Sequence, residues 1–244
     1  MAIIYSKDSF KLQIQFAQIL SDKGMYSYEH SLFANTTLFV RFFGYYDEKP
    51  PQESDARWQE VMKNKPSGED EELDFFYKKY LDFVQISSLE PHQTGFGCFN
   101  YSYHQDTRQF ELHFRTNDPQ GNLNRERQAL RMSELKTMFE DIKKKNINTE
   151  MFVITWLLNI PAFYRLFPPE FSQNATLWNV GTAQTFTFWG QFVDKMGHLK
   201  QDAARQLIEN AKRFNYEDVN LYFPLPGKRS ELSLKKFYDF YSIK

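Results

Sequence analysis

The sequence predicts an α+β fold, with a mostly antiparallel sheet flanked by helices, formed by residues 1–244 as a single globular domain. Three observations lead to this prediction. Segments with a helical period alternate along the chain with short runs of strand-forming residues. Two of these runs are joined by a few polar residues, which is typical of a hairpin. Hydrophobic residues make up 41% of the chain and charged residues 25%, which is ordinary globular usage.

The first 90 residues show helical periods separated by chain breakers. Apolar side chains recur every three to four positions in the segment between Ser9 and Gly24, and again after residue 72. The run 37–43 is rich in residues that strands favour. The predicted elements, in order, are a helix capped at Ser9 and ending at Gly24, a strand over 37–43, a charged surface excursion near 46–74 and a helix over 73–84.

The hairpin is the best-defined element of the sequence. Residues 97–104 and 108–116 alternate between apolar and polar side chains, and the chain turns near Asp106. The aromatic residues of both arms therefore share one face, and polar residues share the other. A tight turn pairs His113 with Asn100, Glu111 with Ser102 and His104 with Gln109.

The C-terminal half continues the alternation of helices and strands. The predicted elements, in order, are a helix capped at Ser133, a strand over 151–156, a helical segment closed by Pro168 and Pro169, a strand over 184–189, a helix over 203–211, a strand over 219–223 and a helix over 234–241.

Composition narrows the classes of function. The 30 basic and 31 acidic residues give a formal net charge of -1, which provides no long-range field for nucleic acid or an anionic membrane. The one cysteine excludes an internal disulfide and fits a reducing compartment. The longest apolar run, 151–158, is too short to cross a bilayer, and the N-terminus reaches charge too soon for a signal peptide. We expect a soluble, cytoplasmic protein.

Aromatic residues are 18% of the chain, with 25 Phe and 14 Tyr. Their large burial areas favour a core built from rings, and the alternative is an aromatic-lined ligand groove.

The polar face of the hairpin holds candidate catalytic residues. On the predicted register, Cys98 is a diagonal neighbour of His113, and Glu111 lies two residues before that histidine on the same face. A thiol, an imidazole and a carboxylate so close together could serve nucleophilic or general acid-base catalysis. The alternative is a solvated sheet face, which a half-buried antiparallel sheet has in any case.

The segment 121–131 holds candidate anion-binding residues. Gly121 precedes the start of a helix, where backbone amides are unpaired, and Arg125, Arg127 and Arg131 add forked donors for a phosphate or carboxylate. The alternative is a solvated helix face on which these arginines pair with nearby glutamates.

The run 153–169 suggests a substrate pocket. Trp156, Tyr164 and Phe167 could line it, with Asn159 and Arg165 as the polar groups that orient a ligand. The alternative is core followed by a helix that ends at proline. No metal is expected, because His104 and His113 lie far apart along the hairpin and no H-E-x-x-H spacing occurs.

Four segments carry a resemblance to a group of bacterial proteins without assigned activity: His113-Phe-Arg, 121–131, Trp156-Leu-Leu-Asn-Ile-Pro-Ala-Phe-Tyr-Arg-Leu-Phe-Pro and Trp189-Gly-Gln-Phe. The order of hairpin, basic glycine-containing loop, helix, strand and helix is also similar to GNAT-type acyltransferases. That similarity implies acyl transfer and an acyl-CoA cofactor, although 120–125 lacks the closely spaced glycines of that family's loop.

Two hypotheses from different classes follow. The first is a transferase-like enzyme that holds an anionic cofactor with Arg125, Arg127 and Arg131 and uses Glu111 or His113 as its base. It predicts that the base and the arginine segment share one cleft. The second is a non-enzymatic interaction protein, which predicts a flat, exposed apolar patch that binds a protein partner.

Overall fold

The architecture is α+β, as the sequence predicts: helices accompany a five-stranded, mostly antiparallel sheet. A computed structural model describes residues 4–44, 52–87, 95–115, 123–179, 182–184 and 186–244. The chain divides into two compact units, Met1–Pro91 with Asn179–Pro224 and His92–Trp178 with Leu225–Lys244. The sheet belongs to the second unit. The prediction of a single globular domain stays a prediction.

The elements of the described residues are as follows. The α-helices are α1 (Lys7–Asp22), α2 (Tyr28–Ala34), α3 (Leu38–Phe43), α4 (Ala56–Asn64), α5 (Glu69–Ser87), α6 (Gln128–Lys144), α7 (Pro161–Tyr164), α8 (Pro169–Gln173), α9 (Phe186–Trp189), α10 (Gln201–Arg213) and α11 (Leu234–Phe240). The strands are β1 (Phe99–His104), β2 (Gln109–Phe114), β3 (Glu150–Thr155), β4 (Thr176–Leu177) and β5 (Lys228–Ser233). Short 3-10 helices span Arg125–Arg127, Trp156–Asn159, Gly190–Phe192 and Val219–Tyr222.

Helix α1 forms the centre of the first unit because it is buried on two faces. Phe10 and Ile14 pack into a cluster with residues of α2 to α5. Phe16 and Leu20 pack into a second cluster with residues from 183 onward, where the Phe16 ring meets the Trp189 ring edge-on at 5.7 Å. Such a wide apolar surface is typical of a helix inside a helical core.

Three strand predictions in this unit are wrong. Residues 38–43 form α3, residues 186–189 form α9, and 219–222 form a 3-10 helix. Aromatic and β-branched residues favour strands only where a pleated surface receives them, and tertiary packing overrides that preference. Leu38, Phe39, Val40 and Phe42 are all buried in the helical cluster instead.

The charged excursion predicted near 46–74 lies partly outside the described residues, which begin again at 52. Its described part contains α4, whose Trp58 is fully buried in the helical cluster beside Val61. Asp55 caps this helix by accepting a hydrogen bond from the Arg57 backbone N–H. The region is therefore attached to the core through α4.

The sheet has the strand order β1-β2-β3-β5-β4, and every pair is antiparallel except β2 with β3. The predicted hairpin register is confirmed: His113 lies opposite Asn100, and Glu111 lies opposite Ser102. The strand predicted over 151–156 is confirmed as β3. Strands β4 and β5 were missed, since β4 has only two residues and the β5 sequence is polar and lacks strand-forming residues.

Helix α6 packs against the apolar face of this sheet. Phe110 and Leu112 of β2 share a cluster with Leu135 and Phe139 of α6, and the Phe139 ring stacks on Phe237 of α11 at 4.7 Å. The predicted cap at Ser133 is wrong. The helix begins at Gln128, directly after the 3-10 helix Arg125–Arg127, so Ser133 lies in its interior.

Candidate functional site

On the polar face of the sheet, each of the two histidines lies within hydrogen-bond distance of a side chain of the neighbouring strand. Ser102 Oγ lies 2.8 Å from His113 Nε2, and His104 Nε2 lies 2.7 Å from Glu111 Oε2. The His104 ring also packs on the buried Phe152 of β3, with ring centroids 5.6 Å apart. Sequence analysis did not single out Ser102 as a partner of His113. On the predicted register Ser102 is a diagonal neighbour of that histidine, which is the signal that could have found the pair.

Burial lowers the pKa of His113, because the charged imidazolium loses hydration in the half-buried face. Glu111 opposes this effect, whereas Arg115 and His104 add to it. His113 is therefore neutral at pH 7, so its Nε2 either accepts a hydrogen bond from the Ser102 hydroxyl or donates one to it, depending on the tautomer.

Cys98 is not brought to this face. It lies in the turn between Phe96 and Phe99, is 1% exposed and belongs to the cluster on the apolar side of the sheet. Its backbone N–H donates to Glu134 Oε2 at 3.1 Å. Alternation along β1 does not extend through this turn, so the predicted grouping of Cys98 with His113 is not formed.

The arginine segment does not share a cleft with His113 and Glu111. Arg131 is 2% exposed, and its Nη1 donates to Glu134 Oε1 at 2.6 Å. It belongs to α6, which covers the sheet face opposite the one that carries His113. Arg125 is exposed, Arg127 is half-buried, and Gly121 lies outside the described residues.

Four of the five residues of the predicted substrate pocket are half-buried and lie next to core residues along the chain, and Phe167 is buried in that core. Asn159 Nδ2 donates to the backbone oxygens of Trp156 at 2.8 Å and Pro226 at 2.7 Å, so its amide ties two chain segments together. Trp156 packs half-buried against the apolar cluster. Tyr164 is half-buried, and the buried Arg165 Nε–H donates to no partner within the described residues.

A cleft in the helical first unit, which sequence analysis missed, is a further candidate ligand site. Its volume is about 820 Å³, and helices α1, α2, α4, α5 and α10 and the connection after α4 contribute its walls. Apolar walls are formed by Ile14, Ile19, Met62, Pro66 and Ile208. A smaller cavity of about 10 Å³ beside Ser9 and Gln13 has room for about one water molecule and is too small for a ligand.

Three polar side chains converge in the wall of the cleft. Tyr28 Oη donates to Glu72 Oε2 at 2.8 Å, and Lys65 Nζ lies 3.1 Å from Glu72 Oε1. The Glu72 side chain is 9% exposed. Although Lys65 forms an ion pair with Oε1, this oxygen has no hydrogen bond of acceptable geometry within the described ranges. A nearly buried carboxylate in the wall thus has one acceptor oxygen that faces only the Lys65 ammonium group within the described residues.

The electrostatics around Tyr28 are acidic. Burial raises the pKa of its phenol, and the charges of Glu72 and Glu69 raise it further. Glu29 and Lys212 also line the cleft, so three carboxylates face two ammonium groups and the walls carry a net negative charge. Within the described part of the chain, neither Glu29 nor Glu69 has an ion pair.

One sequence signal could have located this site. Glu72 stands four residues before Phe76 and eight before Tyr80, both of which are buried on α5. Residues at this spacing share one face of a helix, so Glu72 is a charge on an apolar stripe. Charged side chains are almost never buried without a partner, and such a position marks a place where partners must converge.

Among the described residues, no group of three or more His, Cys, Asp or Glu side chains is placed to hold a metal ion. In the same residues, no helix combines the length and apolar character that crossing a membrane requires.

Comparison with known proteins does not assign this chain to a family. No protein-family model matches it, and searches of curated proteins and of solved structures find no significant match. No matching protein therefore tests the resemblance to bacterial proteins or the similarity to GNAT-type acyltransferases. The function has to be argued from the site itself.

Proposed function

We propose that this chain is a binding protein for a small cationic molecule, held in the cleft beside Glu72. The ligand has an apolar body and one positively charged, hydrogen-bond-donating group. The observation that carries this proposal is a nearly buried carboxylate in the wall of an 820 Å³ cleft, with one oxygen that accepts no hydrogen bond in the described residues.

The size and lining of the cleft support a small-molecule ligand. Ligand sites are commonly about 300–1,000 Å³, with apolar walls and a few convergent polar groups. Ile14, Met62 and Ile208 supply the apolar walls, and Tyr28 and Glu72 supply the convergent polar groups. The ligand's body would bury apolar surface, and its charged group would be fixed by hydrogen bonds.

The charge of the walls supports a cation. The sequence predicts a small anionic ligand at the arginine segment, but the cleft carries more carboxylates than ammonium groups. An ionised carboxylate that is nearly buried is stabilised by an opposite charge and by donors. A ligand ammonium group beside Glu72 supplies both, and Glu69 adds to the favourable field.

Binding is favoured over catalysis at this site by the state of Tyr28. A tyrosine that acts as a base needs a lowered pKa, whereas burial and two carboxylates raise the pKa of this phenol. Tyr28 therefore stays protonated and serves as a hydrogen-bond donor to Glu72. The acyl-transfer and protein-interaction hypotheses stay predictions. The cytoplasmic location also stays a prediction, and the single cysteine supports it.

A matched series of indole compounds tests the proposal. Tryptamine, tryptophol and indole-3-propanoate share one apolar body and differ in carrying an ammonium, a hydroxyl or a carboxylate group. We expect tryptamine to raise the melting temperature saturably, because a ligand that binds only the folded state stabilises it by mass action. Tryptophol should act more weakly, and indole-3-propanoate should have no effect.

Two variants of α5 control the experiment. Glu72→Gln removes the proposed anionic group, and Glu71→Gln removes the same charge from an exposed neighbour. The tryptamine shift should be lost in Glu72→Gln and kept in Glu71→Gln. Equal shifts for the ammonium and carboxylate compounds, or equal shifts in the two variants, would contradict the proposed charge recognition.

A further inference from the structure

The ammonium group of Lys65 lies where a carboxylate and an aromatic face meet. Lys65 Nζ is 3.1 Å from Glu72 Oε1 and 5.3 Å from the centroid of the Tyr28 ring. A carboxylate combined with the face of an aromatic ring attracts ammonium groups through charge and through the quadrupole of the ring. These two side chains thus form an ammonium subsite in the wall of the cleft.

The local chain geometry directs Lys65 into this subsite. Lys65 follows the last residue of α4, and its backbone is extended, with φ -67° and ψ 137°. Pro66 imposes that conformation, because the residue before a proline is pushed out of the helical region. The Lys65 side chain is 18% exposed and lines the cleft together with Pro66.

We propose that Lys65 occupies the subsite that the ligand's charged group requires. The ligand carries a primary ammonium group on an unbranched alkyl chain, as lysine does, and it binds by displacing the Lys65 ammonium from Glu72. This inference rests on the proposed function and adds the ligand's chemical class and a built-in competitor to it. The displaced Lys65 head can move into water, since lysine stems are flexible.

The contact distance explains why the group is a primary ammonium. At 3.1 Å, Lys65 Nζ and Glu72 Oε1 leave no room for a methyl group between nitrogen and oxygen. A quaternary ammonium would be held away from the carboxylate and could not donate a hydrogen bond to it. The oxygen that accepts no hydrogen bond in the described chain is the one facing Lys65, so a better-aligned donor would gain from replacing it.

Substitution of Lys65 tests this inference. Lys65→Ala removes the competitor, so tryptamine should bind this variant at least about tenfold more tightly than the unsubstituted chain, measured by calorimetry. Lys63→Ala is the control, because Lys63 is an exposed lysine two residues earlier, in α4. n-Propylamine, which replaces the atoms that Lys65→Ala removes, should raise the melting temperature of Lys65→Ala more than that of Lys63→Ala. Tetramethylammonium and n-propanol should not.

The outcomes separate the inference from the proposed function. Equal tryptamine affinity in Lys65→Ala and Lys63→Ala would overturn the built-in competitor and leave the proposed function standing. Equal stabilisation by n-propylamine and tetramethylammonium would overturn the choice of a primary ammonium. No tryptamine binding to any of the three chains would overturn the proposed function and this inference with it. If Lys65→Ala does not fold, Lys65→Met, which keeps the apolar stem, takes its place in the calorimetric comparison.

Discussion

Replacement of Arg131 by methionine is expected to destabilise the protein strongly. Arg131 is 2% exposed and donates to Glu134 at 2.6 Å, and Glu134 in turn accepts the Cys98 backbone N–H at 3.1 Å. Removing one partner of a buried ion pair costs about 3–5 kcal/mol, because the other charge stays buried. The Glu134 side chain is partly exposed, so we expect the lower end, about 3 kcal/mol.

Urea denaturation measures this cost directly. The control is Arg125→Met, which makes the same change at an exposed position and should alter the free energy of unfolding by no more than about 0.5 kcal/mol. The double variant Arg131→Met/Glu134→Met should be more stable than the sum of the single effects predicts, because it removes both charges together.

The result also decides between two roles for Arg131. Sequence analysis assigned this residue to cofactor binding together with Arg125. If Arg131→Met is no more destabilising than Arg125→Met, the structural role argued here is refuted. If it costs about 3 kcal/mol, the guanidinium stabilises the Glu134 carboxylate, which accepts the hydrogen bond from the turn before β1.

Two further predictions concern the same unit of the fold. His113→Gln should flatten the pH dependence of stability below about pH 6.5. The pKa of His113 is lower in the folded chain than in the unfolded chain, so the unsubstituted protein loses stability as the pH falls from about 6.5 toward the folded pKa. Melting temperatures between pH 7.5 and 5 would show or refute this difference. Gly97→Ala should be far more destabilising than Gly24→Ala in urea denaturation, although both glycines have positive φ. A Cβ at Gly97 would lie 2.0 Å from Glu134 Oε1, whereas a Cβ at Gly24 would meet nothing within 4 Å. Equal costs of the two substitutions would show that the Glu134 side chain moves aside freely.

Local patterns in the sequence predicted the hairpin and the long helices α1, α5 and α10, but they did not predict the short helices α2, α3 and α9 of the first unit. The hairpin register depends on one turn and on alternation within a few residues, so Asn100 and His113 could be paired from sequence. Residues 37–43 carry side chains that strands favour, but α3 is set by burial among distant helices. Cys98 was misplaced because the turn Phe96–Phe99 interrupts the alternation.

The cleft could not be predicted as a motif, because its residues are distant in the chain. Ile14, Tyr28, Lys65, Glu72 and Ile208 come from five separate segments, and only folding brings them together. The one local signal is Glu72 on the apolar face of α5. A charge on an apolar stripe indicates that partners exist, although it does not identify them.

Photolabelling with a primary alkylamine that carries a diazirine tests the central claim most directly, because it reports where a cation binds. After irradiation and peptide mapping by mass spectrometry, the account predicts adducts on residues that line the cleft, such as Tyr28, Met62 and Glu72, and their loss in the presence of excess tryptamine. Adducts spread over exposed acidic side chains elsewhere, with no protection by tryptamine, would contradict it.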